Sequence, residues 1–126
     1  MESFKVNTKS ITDKAQQLFE KLMASKYYPK SAKSGAPWPG WEEFEGHTPP
    51  DLAVYILWKT GDNRPVYVGE GQLGYRLGLH FHTKTWNSVQ FLIDPEISNN
   101  TIEAQRMRKL LERLSIAVLE PKENHD

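Results

Sequence analysis

Residues able to work on a phosphodiester gather around one stretch of the chain, "PVYVGEGQLGYRLGLHF" at 65–81. Hydrolysis of such a bond needs a cation to meet the charge that develops on the phosphate. It also needs a group to activate water, and often a hard metal ion held by a carboxylate. Tyr67 and Arg76 lie in this stretch, with His80 four residues after Arg76, so the two would neighbour each other on a helix surface. Tyr55 lies on the preceding apolar run, and helical glutamates follow. Gly69, Gly71 and Gly74 also fit the dinucleotide pattern G-x-G-x-x-G, but that cradle requires a parallel βαβ unit and the preceding strand belongs to a hairpin. The Gly-Lys-Ser/Thr of a Walker loop is absent from the sequence.

The elements that must position these residues follow from period and punctuation. "SITDKAQQLFEKLMAS" at 10–25 carries Ile11, Ala15, Leu18, Phe19, Leu22 and Met23 at helical spacing, and Ser10 with Asp13 resembles a capping box. The prolines of "YYPKSAKSGAPWPGWEEFEGHTPP" at 27–50 forbid a long helix there. Trp38, Trp41 and Phe44 predict an ordered loop packed on the domain. Residues 52–58 and 65–69 predict a hairpin about "KTGDNR". A turn centred on Gly61 would put Tyr55 opposite Tyr67, with both phenols on one face of the sheet. A helix is expected over about 72–82, with Leu73, Leu77 and Phe81 on one stripe. A third strand is expected over 87–93, a loop at "DPEISNN", and a helix over 101–114 striped by Met107, Leu110, Leu111 and Leu114. The tail "SIAVLEPKENHD" suits either helix extension or strand. The fold class is therefore α+β, a small three-stranded sheet flanked by helices.

Composition sets the outer bounds. The 126 residues suffice for one domain with a modest core, and 38% hydrophobic with 25% charged residues is ordinary for a soluble globular protein. No cysteine is present, which excludes disulfides and cysteine-ligated zinc. The start "MESFKVNTKS" lacks the apolar core of a signal peptide, and a cytoplasmic location with no membrane association is expected. Sixteen basic and sixteen acidic side chains cancel, unlike the basic excess of a strong nonspecific nucleic-acid binder. Basic residues nevertheless cluster over 1–33 and at Arg106, Arg108, Lys109 and Arg113.

The motifs resemble those of the GIY-YIG nuclease family. "AVY" at 53–55 stands where that family has GIY, and "YVG" at 67–69 where it has YIG. Arg76 and His80 match the arginine on the next helix and the Tyr or His four residues later. In "LLERLSIAVLEPKEN", Glu112, Pro121 and Asn124 keep an E-x8-P-x2-N spacing similar to that of excision-repair and restriction members. The likeness spans about 53–124. It implies a DNA endonuclease using Mg²⁺ or Mn²⁺, in a catalytic domain over 51–126 preceded by an N-terminal helix and Pro/Trp-rich extension over 1–50.

By the same resemblance, Tyr55 orients or deprotonates the attacking water and Tyr67 positions that water or the phosphate. Arg76 stabilises the transition state, and His80 accepts a proton or holds Tyr55. Glu112 binds the metal and Asn124 braces the site. Gly69 lets the backbone turn beneath the tyrosines, and Arg108 and Lys109, beside Glu112, join Gly69 in contacting substrate. Two features depart from the pattern or leave it open. Glu70 stands where the family often has Lys. Glu103 lies on the apolar stripe of its helix while Glu112 lies off it, so the spacing favours Glu112 and the stripe favours Glu103. The family's module normally works beside a DNA-selecting domain. Target choice would thus fall to residues 1–50, a partner protein or a second copy. The competing expectation is a GIY-YIG-fold nucleic-acid-binding module with weakened catalysis.

Overall fold

The computed structural model describes residues 2–30, 52–80 and 83–124, with side chains from residue 10 onward. The chain order is α1 (Glu2–Met23), β1 (Tyr28–Pro29), β2 (Leu52–Trp58), β3 (Tyr67–Gln72), α2 (Leu73–His80), β4 (Ser88–Leu92), α3 (Pro95–Ser98) and α4 (Ile102–Leu119). The α+β class stands. The expected Trp38, Trp41 and Phe44 loop, and Phe81, lie outside the described residues.

The strands form an antiparallel sheet in the order β1-β4-β2-β3. The described sheet thus has four strands, not the expected three. The addition is the two-residue β1, where Tyr28 pairs with Val89 and Pro29 with Ser88. Proline lacks the N–H of an interior strand, and it is tolerated here because β1 is an edge.

Alternation along β2 divides two cores. Ala53, Tyr55 and Leu57 join Leu73 and Leu77 of α2, Trp86, Val89 and Phe91 on one face. Val54 and Ile56 join Leu18 and Leu22 of α1, Val68, Ile97 and Leu111 on the other. The division at residue 50 therefore does not separate two cores, since α1 and β1 are built into the sheet that carries the motifs. Gln90, fully buried at the middle of the sheet, fastens α1 in place. Its Nε2 donates to the carbonyls of Met23 (3.2 Å) and Ser25 (3.0 Å), while its Oε1 accepts from the Trp58 indole N–H (2.8 Å). The end of a helix leaves carbonyls without intrahelical partners, and this amide satisfies two beside the end of α1.

Several boundaries move. Helix α1 starts at Glu2, so Ser10 lies within it and the Ser10–Asp13 pair caps nothing. "DPEISNN" holds the short α3, capped by Asp94, whose Oδ1 accepts from the Glu96 N–H (3.0 Å). Helix α4 begins after an N-cap at Thr101 and runs to Leu119. The residues after α4 then return to the outer edge of β3. The Lys122 N–H donates to the Pro65 carbonyl (3.0 Å) and the Glu123 N–H to the Val66 carbonyl (2.9 Å). The ambiguous tail thus supplies first helix, then an edge strap.

Candidate active site

The site is built along β3, which α2 touches on one face and α4 on the other. Its floor is the β2–β3 hairpin, and the register there differs from expectation. Tyr55 faces Gly69, and Tyr67 faces Leu57. The turn centres one residue later than Gly61, which moves the pairing by two positions. An even shift preserves the face, so both phenols still point to the α2 side, their ring centroids 6.3 Å apart.

The role of Gly69 is space, not a turn. A Cβ there would strike the Tyr55 hydroxyl and lie 2.8 Å from Cε2 of Tyr67. The bare backbone of β3 is what lets the Tyr55 ring lie across it. The left-handed backbone belongs to Gly71, with φ of +133°, and a Cβ there would lie 2.8 Å from Nε of Arg76. Gly71 therefore seats the Arg76 side chain against the strand. In the sequence Gly71 is visible only as the middle of a dinucleotide pattern, a misleading signal for a seat.

Helix α2 delivers His80. Its Nε2 lies 2.9 Å from Oη of Tyr55, and its ring centroid lies 4.7 Å from that of Tyr67. The Trp86 indole N–H donates to the His80 carbonyl (2.9 Å), fixing the end of the helix. Tyr55 is 1% exposed. Burial, and next the neighbouring Tyr67, push its phenol far above the usual range, so it remains protonated. Burial also lowers the His80 imidazole to about 4, with the charges of Lys84 and Arg76 acting the same way. The imidazole is neutral at neutral pH. Lys84 Nζ stands 4.5 Å from the Tyr67 ring centroid.

Helix α4 supplies the opposite wall. Glu112, Arg113, Ile116 and Ala117 form one stripe that, with Tyr67, Glu123 and Asn124, lines an open cleft of about 840 Å³. Burial, then the nearby Glu70, raise the Glu112 carboxyl above its usual range, against the charges of Lys109, Arg113 and Arg76. The positive charge of Arg76 thus acts on Tyr55, His80 and Glu112 alike. Glu103 is elsewhere, lining a second groove with Ile11, Lys14, Glu96, Arg106, Met107 and Leu110. Of the two glutamates, Glu112 lines the cleft with Tyr67 and Glu103 lines the second groove.

Asn124 braces β3 from outside. Its Oδ1 accepts from the Val68 N–H and its Nδ2 donates to the Val68 carbonyl, both at 2.7 Å. One amide side chain completes the outward hydrogen bonds of an edge residue, as a neighbouring strand would.

Arg108 and Lys109 are committed differently from expectation. Arg108 is 6% exposed. Its Nε donates to Glu70 (2.7 Å) and its Nη1 to the Ile97 carbonyl (2.7 Å), so its guanidinium is a core tie. Lys109, more exposed, pairs with the second oxygen of Glu70 at 3.2 Å. Burial opposes the charge of Glu70, but the hydrogen bonds from Arg108 and Lys109 outweigh it and hold the carboxyl below its usual range.

Two carboxylates line this cleft, and one of them, Glu123, is paired with Lys84 at 3.4 Å. Among the described residues no group of three or more His, Asp or Glu side chains could hold an ion. Magnesium, however, keeps several waters and takes one or two carboxylates together with substrate phosphate. Glu112, half-buried and without a hydrogen bond to another described residue, fits that mode. Among protein-family models, curated proteins and solved structures, the chain finds no match.

Proposed function

We propose that this chain is a GIY-YIG-type endonuclease that hydrolyses phosphodiester bonds in DNA with Mg²⁺ or Mn²⁺. The observation that carries the reading is convergence. Tyr55, Tyr67 and His80 pack against one another, Tyr67, Glu112 and Asn124 line one cleft, and the charge of Arg76 acts on Tyr55, His80 and Glu112.

Their geometry distributes the work. Arg76, seated on Gly71, offers forked, permanently charged donors to the phosphate oxygens. Tyr67, on the cleft wall, positions water or phosphate. Tyr55 is too buried and too weakly acidic to meet water itself, and its task is to fix the His80 ring. When Nε2 of the neutral imidazole carries the proton and donates to the Tyr55 oxygen, Nδ1 is left bare to accept one. Glu112 would hold the cation, whose charge polarises the phosphate and lowers the pKa of bound water.

Incubation with supercoiled plasmid, branched and single-stranded DNA tests this. Cleavage is expected with Mg²⁺ or Mn²⁺ and lost with EDTA. Undiminished cleavage in EDTA would remove the metal from the mechanism. The second reading, a binding module with weakened catalysis, draws on Glu70, which stands where the family often has Lys and holds Arg108 and Lys109. Binding of DNA without cleavage in either metal would favour it.

A further inference from the structure

The nuclease reading leaves open which side chain grips the DNA strand beyond the reacting phosphate. Helix α4 carries four basic residues, and their surroundings differ. Arg106 lines the second groove, away from Tyr67. Arg108 is buried against Glu70 and the Ile97 carbonyl, and Lys109 is paired to Glu70. Arg113 lines the cleft with Tyr67 and Glu112 and is exposed, and its side chain makes no hydrogen bond or ion pair with another described residue. Its charge acts on Glu112.

Arg113 directly follows Glu112, so its side chain leaves the helix about 100° further round. It does not duplicate Arg76 at the reacting phosphate. It lines the same cleft as Ile116, Ala117 and Asn124.

We propose that Arg113 grips a second backbone phosphate of the DNA strand, next to the one met by Arg76. The proposal rests on the nuclease reading and adds a strand-holding residue to it. Because Arg113 is exposed, its replacement leaves no cavity, and its effect belongs to binding.

The test uses the whole chain with labelled single-stranded and duplex DNA of one length, in EDTA so that nothing is cut, over a series of salt concentrations. Wild type is expected to bind with an affinity that falls with salt. Arg113→Gln should weaken binding by about tenfold, the scale of a charge-assisted hydrogen bond. It should also flatten the slope of log affinity on log salt by about 0.7 for single-stranded DNA and about 0.9 for duplex, the loss of one phosphate contact. Arg113→Lys should keep the slope and recover part of the affinity. With Mg²⁺ present, Arg113→Gln should raise KM with little change in kcat.

An Arg113→Gln variant with wild-type affinity and salt slope would overturn the proposal while leaving the nuclease reading standing. So would a variant that only shifts the Mg²⁺ concentration for half-maximal cleavage, since Arg113 would then merely balance Glu112. Wild-type protein that binds neither DNA would overturn both.

Discussion

Arg76 is the side chain on which a catalytic role and that of an ordinary surface charge part most sharply. It is exposed and seated on Gly71. In the nuclease reading Arg76→Ala slows cleavage by about 100-fold or more, the scale of losing one transition-state donor. Its thermal midpoint should barely move, since no core cavity opens. Arg76→Lys keeps the charge without the fork and should recover only part of the rate. Cleavage rate and melting, measured on the same three proteins, decide it. His80 makes a prediction about pH. Its folded value of about 4 lies below its ordinary 6.5. Between those values the unfolded chain binds the proton more readily, so stability rises with pH through this window. The contribution is full above about 6.5 and is lost as pH falls toward about 4. Urea midpoints across that range should converge for wild type and His80→Gln at the acid end and diverge toward neutrality. Parallel curves would show that His80 carries no such coupling. Sequence spacing singled out Tyr55, Tyr67 and His80, which the structure packs together, but it could not distinguish an exposed arginine from a buried one. Arg76, Arg108 and Arg113 look alike until burial separates them.

At the scale of the elements, the Glu70–Arg108 tie joins β3 to α4. Removing one partner of a buried ion pair leaves the other charge uncompensated, so Arg108→Ala should cost about 3 kcal/mol in chemical denaturation. The salt dependence of DNA binding should stay as in wild type, because this guanidinium faces Ile97 and Glu70. A soluble, fully stable Arg108→Ala protein with a reduced salt slope would return Arg108 to the substrate-contacting role. The elements themselves were legible wherever a period ran long enough. Strand β2, α2 and β4 stand near their expected limits, while β3 lies at Tyr67–Gln72 and α4 runs on past Leu114 to Leu119. Strand β1 was not legible, because two residues carry no alternation and only pairing with Val89 and Ser88 makes them a strand. The inner face of α4 was read one step off. Its buried positions are Ala104, Arg108, Leu111 and Ser115, and two of these are polar. A hydrophobic stripe cannot reveal an arginine buried by its partner, or a serine whose hydroxyl bonds back to the Leu111 carbonyl (2.7 Å). The hairpin register slipped by two because the turn residues Gly61, Asp62 and Asn63 mark a loop without fixing its centre.

Across the whole molecule, the two faces of one sheet divide the labour. The α2 face carries Tyr55, Tyr67 and His80. The opposite face takes α1, α3 and α4 and holds the mass of aliphatic packing. Equal numbers of acidic and basic residues give no long-range pull toward DNA. In the nuclease reading, affinity would come from a few local cations, which is why the commitments of Arg108, Lys109 and Arg113 matter. On that second face the anchor is Gln90, which ties the end of α1 to Trp58. Gln90→Leu would strip the partner from the Trp58 indole and from the carbonyls of Met23 and Ser25. Such losses cost about 1 kcal/mol or more each, so a drop of about 3 kcal/mol is expected. Amide exchange should accelerate in the last turn of α1 before it does in β3. Uniform acceleration in both would mean that α1 does not undock separately.

That anchor also makes the molecule report on itself. The Trp58 indole proton points at the same amide that holds the end of α1, so its magnetic resonance is tied to a helix it does not belong to. Undocking of α1 by heat, by a mild denaturant or by a ligand should move that resonance, even while the strands keep their signals. A single proton in a simple spectrum would then follow the seating of the N-terminal helix in real time, without any label.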